Sequence, residues 1–122
     1  MAKVKSLEQI RAKHAWKFIE NVKEKKGDYL TAMRKLPAMI LTSGLGQTVA
    51  FYLSKKNEHQ NIINRVAEHL SKVMGIEGIT CGTDLLKKIM QSNHEEYIIL
   101  SREALKYATW LKRLAEAELE GE

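Results

Sequence analysis

The sequence has one cysteine, one proline and only 7% aromatic residues in 122. A lone cysteine excludes an internal disulfide framework, so no covalent staple holds the fold. A chain this long needs none, because folding buries about two-thirds of its surface. The longest apolar run, Leu36 to Leu41, is far short of the ~20 residues that span a bilayer, and it contains Pro37. The start is basic but no apolar stretch follows it as in a secretory signal. Strand-like alternation of Val and Ile is absent, and only Gly75–Cys81 leaves room for a strand, which would lack a partner. These absences point to a single, cytoplasmic, non-membrane domain over residues 1–122, with a basic segment at 1–5 and an acidic tail at 116–122.

What is present is helical. Hydrophobic residues make up 44%, the range of folded domains. Ser6 with Gln9 resembles a capping box, which starts a first helix over Leu7–Lys25. A second runs from near Asp28 to Ser43, with a kink or short break expected at Pro37. Gly44 and Gly46 separate it from a third over Leu45–Lys56. A fourth covers Glu58–Met74, with Ile62, Ile63, Val66, Leu70 and Val73 on one face. Thr83 or Asp84 would cap a fifth ending near Gln91. Asn93 with Glu96 gives a second capping box and opens a last helix to about Leu119. The fold class is all-α, a compact bundle of about six helices.

Charge is unevenly placed around a net value of +5. Residues 1–26 carry eight basic and three acidic side chains, and residues 115–122 carry four Glu and no base. In the first helix, Arg11 falls inside the apolar arc of Leu7, Ala15, Phe18, Ile19 and Val22. Either its stem packs and its head finds a carboxylate, or it presents a guanidinium to a partner anion. Lys13, Lys17, Glu20 and Glu24 form the opposite, solvated face. In the last helix Tyr97, Leu100, Ala104, Tyr107, Ala108, Leu111 and Ala115 form the buried arc. Arg102, Lys106 and Arg113 line up on another side, with Trp110 between the two. Cations beside an aromatic suit a nucleic-acid strand, and they equally suit a solvated face with Trp110 in the core.

Catalytic signals are lacking. Gly44-Leu45-Gly46 is no dinucleotide loop, because Val49 stands where the third glycine belongs and a helix precedes it. His14, His59, His69 and His94 are not at ligand spacing, so metal binding would need a tertiary coincidence. No activating base can be assigned to Cys81, and no pair of catalytic carboxylates stands out. No enzyme activity, metal, cofactor or small-molecule substrate is expected.

An ordered series of residues does carry a resemblance. It runs through Arg11-Ala12, Ala15, Tyr29 and Lys35-Leu36-Pro37, then Gly44-Leu45-Gly46-Gln47-Thr48-Val49-Ala50-Phe51-Tyr52-Leu53-Ser54-Lys55. It continues through Leu85-Leu86, Ile89, Tyr97 and Glu103-Ala104-Leu105 to Trp110-Leu111-Lys112-Arg113. Over about residues 8–118 the chain resembles the small helical subunit of the type III-B CRISPR effector, the RNA-guided Cmr complex. Val73 stands where that resemblance leads one to expect an aromatic. The resemblance implies a non-catalytic protein that stacks with further copies of itself along the backbone subunits. It would contact the target RNA without reading sequence, in antiviral defence. Arg11, Lys35, Lys55, Lys112 and Arg113 lie in the matching motifs and are candidates for RNA contact. Lys17, Lys56, Arg102 and Lys106 are added by charge position alone. Gln47 and Thr48 read first as the start of the third helix. The competing reading is a stand-alone helix-turn-helix DNA-binding module centred on the Gly44–Gly46 junction.

Overall fold

The computed structural model describes residues 5–25 and 27–119. The chain forms six helices: α1 (Leu7–Val22), α2 (Tyr29–Ser43), α3 (Leu45–Ser54), α4 (Glu58–Met74), α5 (Gly82–Gln91) and α6 (His94–Glu118). No strand occurs among the described residues, and Gly75–Cys81 is loop.

Both capping boxes form. Ser6 accepts from the Gln9 amide at 3.1 Å, and its own amide donates to the Gln9 side chain at 2.8 Å. Asn93 and Glu96 repeat the exchange at 2.8 and 3.0 Å. Each box satisfies two amide donors that a helix start otherwise leaves unmet. Three boundaries and one helix interior differ from those expected of the sequence. α1 ends at Val22, where the Lys25 amide closes a turn onto the Val22 carbonyl at 3.0 Å. α2 runs through Pro37 without a break, with the proline ring buried in the core. The chain tolerates the missing amide because packing on both sides holds the helix. α3 ends at Ser54, as Lys55 turns to extended backbone. α5 begins at Gly82, and neither Thr83 nor Asp84 caps it. Asp84 instead reaches back to the amide and hydroxyl of Thr80 at 3.0 and 2.8 Å.

Gly82 takes the first helical position because space requires it. A Cβ there would lie 2.6 Å from a methyl of Ile63 and 2.9 Å from one of Leu53. Its amide donates to the Asn64 side chain at 2.8 Å, which pins α5 to α4. Gly44 makes the sharp α2–α3 junction with φ of 88°, a conformation that costs a glycine nothing.

α6 is the spine of the bundle. It runs back along α2: Arg34 meets Glu116 at 3.4 Å near one end, and Tyr97 receives the Gly46 amide at 3.0 Å near the other. α1 packs on a neighbouring side of α6, and α3, α4 and α5 complete the core. Tyr52 fixes α3 to α2 by donating its hydroxyl to the Ala32 carbonyl at 2.6 Å, and burial pushes that phenol up to about 12. The described part of the acidic end is tied to its own chain, through Glu116 with Arg34 and Glu118 with Lys23 at 2.9 Å. Residues 1–4 of the basic segment and 120–122 of the acidic tail lie outside the described residues.

Candidate nucleic-acid interface

The outer face of α6 gathers the basic stripe. At 100° per residue, Ile99, Arg102, Lys106, Thr109, Trp110 and Arg113 share one side of that helix. Arg102, Lys106 and Arg113 are exposed, and Trp110 is half-buried. Two adjoining grooves open here, and Lys106 lines both. One, of about 460 Å³, is walled by Glu8, Leu105, Thr109, Trp110 and Arg113 as well. The other, of about 280 Å³, lies among Leu7, Val73, Met74, Ile99 and Arg102, over the Arg11–Glu103 pair. Val73, in place of the expected aromatic, is one of its apolar walls. Among the described residues no ion pair engages Arg102, Lys106 or Arg113. Their charge is therefore available to a polyanion. Trp110 lines the first groove beside Lys106 and Arg113.

Arg11 does not join this face. It is 7% exposed, and its Nε and Nη2 donate to the two oxygens of Glu103 at 2.7 Å each. Glu8 takes a third, longer bond at 3.3 Å. Three of the five guanidinium donors are engaged in these bonds and the charge is paired with Glu103, which is the first of the two readings of Arg11. Burial pushes the Glu103 carboxyl up, but hydrogen bonds from Arg11 and His69 outweigh it and hold the group below its usual range. The bond to Glu103 likewise raises Arg11 above its ordinary value, against its burial.

The network continues inward. His69, on α4, is 2% exposed and stacks on Tyr107 at 4.3 Å with the rings 9° from parallel. Its Nε2 lies 2.8 Å from Glu103, and its Nδ1 lies 2.7 Å from Nδ1 of His14. The protons follow from the bonding. An ionised Glu103 only accepts, so His69 carries its proton on Nε2 and accepts at Nδ1. His14 must then donate from Nδ1, which leaves its Nε2 bare. Burial lowers His69, with Glu103 opposing; burial and then the charges of His69, Lys72, Lys17 and Lys13 lower His14. The coincidence that metal ligation required does bring two histidines together. Their nitrogens bond each other, however, and no group of three or more His, Cys, Asp or Glu among the described residues could hold a metal. Sequence spacing hides this pair, since residues 14 and 69 meet only through packing. The one clue was Arg11 inside an apolar arc, which called for a buried carboxylate without naming it.

The other candidate cations are scattered. Lys17 lines a separate cleft between α1 and α4. Lys35 on α2 and Lys55 at the end of α3 are exposed and both act on His59, which burial and Lys55 lower. The Lys55 ammonium sits 4.9 Å over the Phe51 ring. Lys56 is exposed beyond α3, and Lys112 is half-buried on α6 and lines neither groove. Thr48 is buried and donates its hydroxyl to the Gly44 carbonyl at 2.8 Å, so it closes the first turn of α3. α3 itself buries Leu45, Thr48, Val49 and Tyr52 and packs on α2, α4 and α5. Cys81 precedes α5 as a half-buried thiol.

The family described as CRISPR-associated protein (Cas_Cmr5) matches residues 7–118. The CRISPR system Cmr subunit Cmr5 of Thermotoga maritima is 36% identical over 98% of this chain and 90% of its own length. The subunit of the same name from Thermus thermophilus is 32% identical over 80% of each. The crystal structure of a Cmr5 family protein from Thermus thermophilus superposes with a TM-score of 0.85 at 28% identity, covering 95% of this chain and all of the other. With the match spanning all six helices, the chain belongs to the Cmr5 family of CRISPR-associated proteins.

Proposed function

We propose that the protein is a non-catalytic structural subunit of a type III-B RNA-guided effector, lining the path of the target RNA through the outer face of α6. Membership of the family whose relatives are named Cmr subunits supports a place in a multisubunit assembly. The observation that carries the RNA contact is the set of exposed cations Arg102, Lys106 and Arg113 beside the half-buried Trp110, along two adjoining grooves. Such a face holds phosphates and stacks bases without reading base edges. Sequence selection then belongs to guide pairing. Further copies of the chain stack beside it along the backbone subunits, in the cytoplasm. None of the described helices is long and apolar enough to cross a membrane. Lys35, Lys55, Lys56 and Lys112 remain secondary RNA-facing positions of the same assembly, and Lys17 faces the α1–α4 cleft. The helix-turn-helix alternative gains no support, because α3 spends its apolar face on the core.

The test is the salt dependence of single-stranded RNA binding. Replacing Arg102, Lys106 and Arg113 by Ala should weaken binding and flatten the log–log slope by about 0.7 for each phosphate no longer neutralised. Trp110→Ala should weaken binding about tenfold while leaving that slope alone, since stacking on a base is worth ~1–3 kcal/mol. An unchanged slope in the triple variant removes the α6 face from the RNA path.

A further inference from the structure

The cleft between α1 and α4 lies apart from the α6 stripe and has its own chemistry. It holds about 220 Å³, room for one small oxyanion with a few waters at ~30 Å³ each. Its charged lining is three cations, Lys17, Arg65 and Lys72, against the single carboxylate of Glu68. That carboxylate is already held through both oxygens by Nη1 of Arg65, at 2.9 Å each. Arg65 lies over the Phe18 ring at 5.5 Å, so its position is set by packing as well. Among the described residues no ion pair holds Lys17 or Lys72. His14 lines the cleft together with the more deeply buried His69 and Tyr107. Its Nδ1 is committed to His69, and its opposite edge, the bare Nε2, is the one left for the cleft.

We propose that this cleft binds a tetrahedral oxyanion of the phosphate class, held by Lys17, Lys72 and Arg65, and that His14 takes a proton from solvent onto Nε2 as the anion arrives. The bonding permits this single proton. His14 with both nitrogens protonated still donates from Nδ1 to His69, so the chain to Glu103 and Arg11 stays intact. A second proton, on His69, would set two donors against each other at 2.7 Å and is excluded. The groups that face His14 explain why it is neutral without an anion. Burial comes first, and then His69 and Lys72 on α4 and Lys17 and Lys13 on α1 repel a charge there. Tyr107 of α6 and Arg65 and Glu68 of α4 complete the cleft, and Glu103 and Arg11 lie behind His69. An anion between the lysines cancels that repulsion and favours the imidazolium. The same lining serves a free oxyanion or a phosphodiester of RNA.

Sulfate is the probe for the full-length protein, because it does not titrate in the relevant range. The readout is the His14 ring resonance by NMR between about pH 5 and 8, with chloride at equal ionic strength as reference. Sulfate should raise the His14 midpoint by about one pH unit, which means about tenfold tighter binding to the protonated ring. The shift should disappear in Lys17→Gln/Lys72→Gln and persist in the Arg102, Lys106 and Arg113 to Ala variant, which separates this site from the α6 reading. In His14→Gln, sulfate binding should lose its pH dependence with the helical circular dichroism unchanged. A short oligoribonucleotide that produces the same shift identifies the phosphodiester as the source, and a shift with sulfate alone identifies a free oxyanion. If neither moves the His14 midpoint beyond the chloride reference, the proposal is wrong.

Discussion

Arg11 and Glu103 show how one pair of residues carries a disproportionate share of the fold. Both are 7% exposed and lie 92 positions apart in the chain. Removing either leaves the other buried and uncompensated. Arg11→Met and Glu103→Gln should therefore each cost ~3 kcal/mol in denaturant unfolding. The double variant should lose clearly less than the sum of the two, because both changes remove one shared interaction. Strict additivity would mean that the pair does not hold α1 to α6. Two histidines of the same network, with His59 beside α3, set the acid response. His14, His59 and His69 are held below the ordinary histidine value, so the unfolded chain binds their protons first. Stability should be level above about pH 7 and fall as the pH drops below about 6.5. Glu103 is also held low, so its contribution is complete above about pH 4.3 and is lost as the pH falls through its lower folded value. Melting temperatures recorded from neutral to acid pH check this, and a flat profile down to about pH 5 would contradict it.

At the scale of the helix, the two glycine junctions decide how elements meet. Tyr97 of α6 accepts the Gly46 amide in the first turn of α3, so one helix satisfies the open end of another. Tyr97→Phe should cost ~1–2 kcal/mol and speed hydrogen exchange at Gly46. Gly82→Ala should cost ~1–3 kcal/mol, because its new methyl would press on Ile63 and Leu53 where α5 meets α4 and α3. A neutral Gly82→Ala would mean that the α5 start can slide. The helices themselves were legible from local signals. Ser6/Gln9 and Asn93/Glu96 are short-range boxes, and α4 follows its 3.6-residue period end to end. The unbroken passage through Pro37 and the start of α5 at Gly82 share a cause. Pro37 and Gly82 obey packing against distant residues, and local propensity is blind to that.

For the whole molecule, the distribution of charge matters more than its sum. The basic stripe of α6 is open, while Glu116 and Glu118 are turned onto Arg34 and Lys23 of the same chain. Glu116 and Glu118, paired in this way, do not screen the stripe. Native mass spectrometry of the tagged protein from its own cells should find a large assembly with several copies of this chain, larger proteins and a small RNA. A bare monomer or dimer at moderate salt would count against stacking along a guided complex. The isolated protein should bind single-stranded RNA weakly and lose that binding steeply with salt, because three cations are a small electrostatic footprint.

The sequence by itself determined the helices, their order and the family. Those depend on capping residues, hydrophobic period and motifs read within a few positions of one another. It also aligned Arg102, Lys106 and Arg113, since a helix face is fixed by spacing alone. Tertiary structure decided which cations remain for a partner. Arg11 and Lys17 belong to the same helix, yet one is spent on Glu103 and the other is left at an open cleft. It also decided the meeting of His14 with His69, 55 residues apart, which no local pattern encodes. The physical reason is that burial and pairing are properties of surfaces that exist only once the helices have packed.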